Sequence, residues 1–343
     1  MKAFKSLVTG SAVALMFSAG AATAQNLRLA HFMPAGSWQQ SVMFEGWAKS
    51  IEEDSGGDLS FRVFPAQTLG TAVEGYDNAR RGIADISWTV QGYTANRFPL
   101  SQIVELPGLF ETAEVGSCGF QRLYESGMLD DEYSETEVLY VHVHGPGHLH
   151  TANKAVTSLA DIRGMQIRQP TSVIGNLLTE LGAEPVGMPA PEVYEATQRG
   201  VIDGFLLPWE AVVGFRADEV VNHYTEVGLY ALAFVKTMNP RAYERLSDEQ
   251  RAVIHKHSGM TGALIAGRGY DSADEAAKAR MLETGTLHVL TDEERAQWET
   301  AAERAAESYL NDLESRGLPG RAVYDAFVGY VDECRVQLAA GEL

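Results

Sequence analysis

"NLRLAHFMPAGSWQQSVMFEGWAKSIEEDSGGDLSFRVFP" (residues 26–65) decides the fold. "NLRLAHF" is a β-type run, broken by the turn-forming "MPAGS". Apolar Val42, Met43, Trp47 and Ile51 then recur at helical spacing, and "DLSFRVFP" returns to a period of two with Leu59, Phe61 and Val63 on one face. A helix-like "TAVEGYDNARRG" (71–82) leads into the apolar strand "IADISWTV" (83–90). Strands and helices alternating at this rhythm predict βαβ architecture with a mostly parallel sheet. Such sheets take ligands outside the carboxyl ends of their strands, where the loops "HFMPAGSW" (31–38) and "WTVQGY" (88–93) fall. Those loops hold Trp38, Trp88, Gln91 and Tyr93.

A second α/β block follows. "VLYVHVHG" (138–145) reads as a strand, "SLADIRG" as a capped turn, "MQIRQP" as a strand stopped by Pro170, and "SVIGNLLTELG" as a helix ending at Gly182. "PAPEVYEATQRGVIDGFLLPW" (189–209) supplies a helix over about 191–199 and then a strand. From about Asp248 the chain is mostly helical, with Ser247 and Thr291 as N-caps followed by acidic residues that favour a helix start.

The ends and the composition bound the function. Lys2 and Lys5 precede an apolar run from Leu7 to about Ala22, and "ATA" ends at Ala24, which together predict a secretory signal peptide over residues 1–24. The run is diluted by Gly, Ser and Thr and is short for a bilayer span, so the mature chain is expected to be soluble. The formal charge is −19, more negative still without the two leader lysines. A chain this acidic does not track a phosphate backbone, so nucleic acid is not an expected partner. Cys118 and Cys334 are the only cysteines. Paired in an oxidising compartment they would contribute on the order of 4 kcal/mol; two unpaired thiols are the alternative.

Catalytic motifs are missing: there is no GxSxG elbow, P-loop, GxGxxG after a strand, HExxH or CxxC. His255 and His257, two apart on a predicted helix, do not share a face. The stretch "HVHGPGHLH" (142–150) holds four of the nine histidines, as two i, i+2 pairs each on one strand face. A metal site would require the turn at Gly145-Pro146-Gly147 to bring the pairs together. That tripeptide is not a tight two-residue hairpin turn, and no carboxylate or cysteine lies within the stretch. The histidines are therefore read as strand-face or cleft residues. Neither a metal nor another cofactor is expected.

At "LADIRGMQIRQP" (159–170) the chain resembles the solute receptors of tripartite ATP-independent periplasmic (TRAP) transporters. The opening stretch has the family's strand, helix and "FP…LG" order. "ELPGLF" (105–110), "EVYEATQRGVIDG" (192–204) and "MNPRAYERLSDEQRAVI" (238–254) resemble further family segments in the same order. The resemblance implies a two-lobed α/β periplasmic binding protein fold with crossing strands, a long interlobe helix and a helical C-terminal part. Lobe I would comprise residues 25–145 plus about 234–275, and lobe II 146–233 plus about 276–343. It further implies a monomeric periplasmic receptor, not an enzyme, which closes over an organic anion and delivers it to a membrane permease. The family's most constant ligand contact falls on Arg168, whose two-pronged guanidinium matches a carboxylate and stays charged at any relevant pH.

The departures from the family pattern point to the ligand. Many relatives that bind sugar acids and dicarboxylates keep a second arginine where this chain has His148, and an asparagine where it has Leu207. A ligand hydroxyl or second carboxylate facing Leu207 would lose its partner, at roughly 1–3 kcal/mol. An apolar ring would gain from burial and stacking. Trp38, Trp88, Trp209, Tyr93 and Phe234 are the candidate aromatic walls, and His148 is expected to donate to the ligand carboxylate or to a ring hydroxyl. The expected ligand is a benzoate- or phenylacetate-like acid; a dicarboxylate, 2-oxo acid or sugar acid is the alternative.

Overall fold

A computed structural model describes residues 24–343. The expected signal peptide lies outside the described residues except for Ala24. In chain order the strands are β1 (Gln25–Ala30), β2 (Leu59–Phe64), β3 (Ile86–Val90), β4 (Glu137–Val143), β5 (Gly147–Thr151), β6 (Gln166–Gln169), β7 (Glu184–Gly187), β8 (Gly204–Leu207), β9 (His223–Tyr230), β10 (Ala233–Met238) and β11 (Thr286–His288). They form two sheets, ordered β2-β1-β3-β10-β4 and β11-β9-β5-β8-β6-β7. This is the two-lobed α/β architecture expected, and the βαβ rhythm of residues 26–90 appears as parallel β2-β1-β3 pairing.

Three segments cross between the sheets. The chain leaves the first sheet at the end of β4 and enters the second at β5, then returns from β9 to β10. Both β5 and β10 are central strands running antiparallel to neighbours on either side. Gly147 opens β5 because a Cβ there would lie 2.0 Å from the ring of Tyr230, its partner on β9. The third crossing is the 23-residue helix Gly259–Met281, which packs on β4 and the helix Ala113–Glu125 of the first lobe and on the helix Trp209–Gly214 of the second.

The sequence-based division of the lobes differs from the structure at the C-terminus. The helix Asp292–Ser315 packs against Ser172–Glu180 of the second lobe. The last helix, Gly320–Ala340, instead lies on Ala113–Glu125 of the first lobe. Its buried stripe of Val323, Phe327, Val331 and Cys334 has helical spacing, and Gly119 lets it approach closely: a Cβ there would meet Val331 at 2.7 Å and Phe327 at 3.2 Å. Cys118 and Cys334 are bonded across this contact, resolving the pairing left open by the sequence. Closing a loop of 216 residues is worth on the order of 5 kcal/mol in the chain-entropy account.

Candidate functional site

The strands β3 and β10 are paired so that Trp88 and Phe234 lie on one face of the first sheet, in a single stack with His142. The Trp88 and Phe234 rings are 4.8 Å apart at 11°, and those of Phe234 and His142 4.9 Å apart at 1°. Phe32, at the end of β1, stacks on Trp88 at 5.0 Å. This aromatic layer runs out at the cleft between the lobes. There a tightly closed cavity of about 30 Å³, well below the size of an open ligand site, is lined by residues from both sheets and the crossing helix.

Arg168 comes from the second lobe, near the carboxyl end of β6, and is fully buried. Its Nε donates to the Met188 carbonyl (2.9 Å), Nη1 to the Leu206 carbonyl (3.1 Å) and Nη2 to the Tyr93 hydroxyl (3.2 Å). All three partners are neutral. Among the described residues no carboxylate lies within ion-pair distance of it. A buried cation without a counter-charge is costly, and an incoming anion relieves that cost. Tyr93, from the first lobe, accepts from Arg168 and from the Ala190 amide at 3.0 Å, so one hydroxyl ties the two lobes together. Because that oxygen is an acceptor in both bonds, its own proton is free to donate.

Of the residues expected at the site, Arg168, Trp88, Tyr93, Leu207 and Phe234 line the cavity. Four do not. His148 is turned out of it, packed against Trp209 at 5.3 Å, and its Nδ1 accepts the amide of Gly228 (3.2 Å). Gly228 has φ +62° and sits where the β5–β9 pairing slips register, so His148 satisfies a bulge instead of facing a ligand. Trp209 fills the second-lobe core against His148, His150 and Tyr224. Gln91 points into the first lobe and donates to the Tyr133 hydroxyl. Trp38 stands one layer back, edge-on to Tyr270, and donates to Glu210 Oε2 at 3.0 Å.

The residues missed by sequence reasoning are mostly neighbours of those named. Gln39 and Glu210 line the cavity beside Trp38 and Trp209, and Gln39 Nε2 donates to Glu210 Oε2 at 2.7 Å. Burial pushes the Glu210 carboxyl up to about 7 against the pull of those two donors. His144, Phe32, Phe215 and Tyr270 complete the wall. The His144 imidazole is driven down to about 4, chiefly by burial, and is therefore neutral at physiological pH.

Each remaining histidine of the stretch has its own neighbour. His142 Nε2 accepts from the Trp88 indole (2.8 Å), and His150 Nε2 donates to the Leu207 carbonyl (3.0 Å). Burial holds His142, His148 and His150 neutral, each down to about 3. The two pairs belong to different sheets and do not converge.

Two sheets joined by crossing strands, with an arginine-bearing cavity between them, define a two-lobed solute-binding protein. Residues 29–312 match the family model of the bacterial extracellular solute-binding proteins, family 7 (DctP), and the chain belongs to that family, the solute receptors of TRAP transporters. A marine metagenome TRAP solute-binding protein specific for aromatic acid ligands, in complex with 3-hydroxybenzoate, is 34% identical, with 91% of this chain and 99% of that one covered and a TM-score of 0.88. One from Rhodoferax ferrireducens, in complex with copurified benzoate, is 32% identical over 91% and 98% of the two chains, also with a TM-score of 0.88. The ectoine-binding periplasmic protein TeaA of Halomonas elongata is 26% identical, with 95% of this chain and 96% of TeaA covered.

Proposed function

We propose that this chain is an exported receptor that takes up an aromatic monocarboxylate in the interlobe cavity and hands it to a TRAP permease in the membrane, without catalysis. The observation that carries this reading is the buried Arg168 guanidinium, which has no ion-pair partner among the described residues and faces a cavity walled mainly by aromatic side chains. The ligand carboxylate supplies the missing charge in a two-pronged pair and takes the free proton of Tyr93. The ring lies among Phe32, Trp88, Phe234 and Leu207, where burial and stacking favour it. Leu207 offers nothing to a sugar hydroxyl or second carboxylate, which disfavours those ligand classes. The relatives with bound 3-hydroxybenzoate and benzoate support the same ligand class. Among the described residues no helix is long and apolar enough to cross a membrane. The family's receptors are periplasmic, which supports the periplasm as the proposed compartment, with the receptor acting as a single chain.

Titration calorimetry against benzoate, phenylacetate, succinate and glucuronate tests the ligand class. Benzoate or phenylacetate is expected to bind at least a hundredfold tighter than either of the others. Tight binding confined to succinate or glucuronate would overturn the reading.

A further inference from the structure

Two polar atoms in the cavity wall have no partner, and both are acceptors. His144 Nδ1 is bonded to the Gly145 carbonyl, which can only accept, so the ring proton sits on Nδ1 and Nε2 carries a bare lone pair. His142, two residues earlier on the same strand, has the same tautomer because its Nδ1 bonds the Val143 carbonyl (3.2 Å), but its Nε2 is taken by the Trp88 indole. The corresponding nitrogen of His144 is buried, lies at the cavity and accepts from nothing among the described residues.

Gln39 repeats the situation. The indole of Trp38 can only donate, which marks Glu210 Oε2 as an acceptor and requires Gln39 to turn its NH₂ toward that oxygen. Its Oε1 is buried without a partner in hydrogen-bond geometry among the described residues, although the Tyr270 hydroxyl lies near the Gln39 amide. A buried acceptor left unpaired is unfavourable, and a bound hydroxyl removes the deficit. Burial, reinforced by the Arg168 charge, disfavours a proton on His144, so the imidazole remains an acceptor.

We propose that His144 Nε2 is the specificity-determining acceptor of this site, with Gln39 Oε1 as a second, and that the ligand it selects is an aromatic acid bearing a ring hydroxyl. The proposal rests on the aromatic-acid reading above and narrows it. The carboxylate faces Arg168 and Tyr93, which donate, while the hydroxyl donates to the lone pair on His144. A site built to pair a hydroxyl rejects the analogue lacking it more strongly than an apolar pocket rejects a missing methylene.

The test is titration calorimetry of the full mature chain with benzoate, the three monohydroxybenzoates and their methoxy counterparts. At least one hydroxy isomer is expected to bind about tenfold tighter than benzoate and than its own methoxy ether, which keeps the oxygen but cannot donate. In His144→Phe, whose ring has no lone pair, the ratio of hydroxy-acid to benzoate affinity is expected to fall to about one. Wild-type binding of benzoate and every hydroxybenzoate with equal affinity would overturn the proposal and leave the aromatic-acid reading standing. Failure to bind any aromatic acid would overturn both. The ether comparison uses wild-type protein and does not depend on the variant folding.

Discussion

His142 and His144 stand at the end of β4, the edge strand of the first sheet, His144 just beyond it; His148 and His150 belong to β5 of the second. Both pairs have the pattern H-x-H, both are buried, and three residues separate them. The first pair continues the aromatic stack of the first sheet, so that His142 is capped by Trp88 and His144 reaches the cavity. The second pair lies against Trp209 and Tyr224, where His148 holds a bulge of β9 and His150 binds the Leu207 carbonyl. The same local pattern therefore has a ligand-facing setting in one lobe and a purely internal one in the other. What differs is the neighbouring strand: β10 carries the aromatic layer out to the cleft, whereas β9 slips register beside His148.

The contrast between lobes is sharpest in what each gives to the cavity: the first brings the rings and the second the charge. Arg168→Met, which keeps length but removes the charge and its donors, is expected to weaken aromatic-acid binding by at least about a hundredfold, the scale of losing a buried charge-assisted pair. Calorimetry with unfolding melts on the same samples checks this, and unchanged affinity would break the division of labour. A smaller effect is expected from Leu207→Asn, which sets an amide against the ring. Loss of apolar contact plus an unpaired amide corresponds to about 1–2 kcal/mol, roughly tenfold in Kd for benzoate.

How much of this was legible in the sequence follows from the same contrast. The alternation of strands and helices, the crossing at residues 145–147 and Arg168 could be read because local pattern and motif spacing determine them. Trp88, Tyr93, Leu207 and Phe234 were found because they stand at or beside strand ends that face the cleft. The errors at Trp38 and Trp209 are displacements of a single residue: each loop was right, but Gln39 and Glu210 face inward. Side-chain direction in a tight turn depends on backbone angles that composition does not reveal. His148 was preferred to His144 because it falls where relatives keep a second arginine, and the bulge at Gly228 that turns it away is not visible in the sequence. Tyr270 comes from the crossing helix, about a hundred residues from any other wall of the first lobe but Phe234, and required the assembled fold.

The internal setting of the second pair can be tested by separating its effect on stability from its effect on binding. His148→Phe is expected to leave benzoate affinity within about twofold while lowering unfolding free energy by about 1–2 kcal/mol, because the Gly228 amide loses its acceptor. A large affinity loss with no change in stability would return His148 to the binding site. His150 supplies the subtler test. Burial takes its folded-state value down to about 3 from an ordinary 6.5, so below pH 6.5 the unfolded chain gains a proton there that the folded chain does not. The stability this residue contributes is full above pH 6.5 and declines as pH falls toward 3. Between pH 7.5 and 5.5 the linkage amounts to about 1.4 kcal/mol. His150→Phe is therefore expected to lose about that much less stability than wild type over the same interval, measured by urea unfolding at the two pH values. Parallel losses in the two proteins would mean that His150 reaches water, and that the second pair is less sealed than the first.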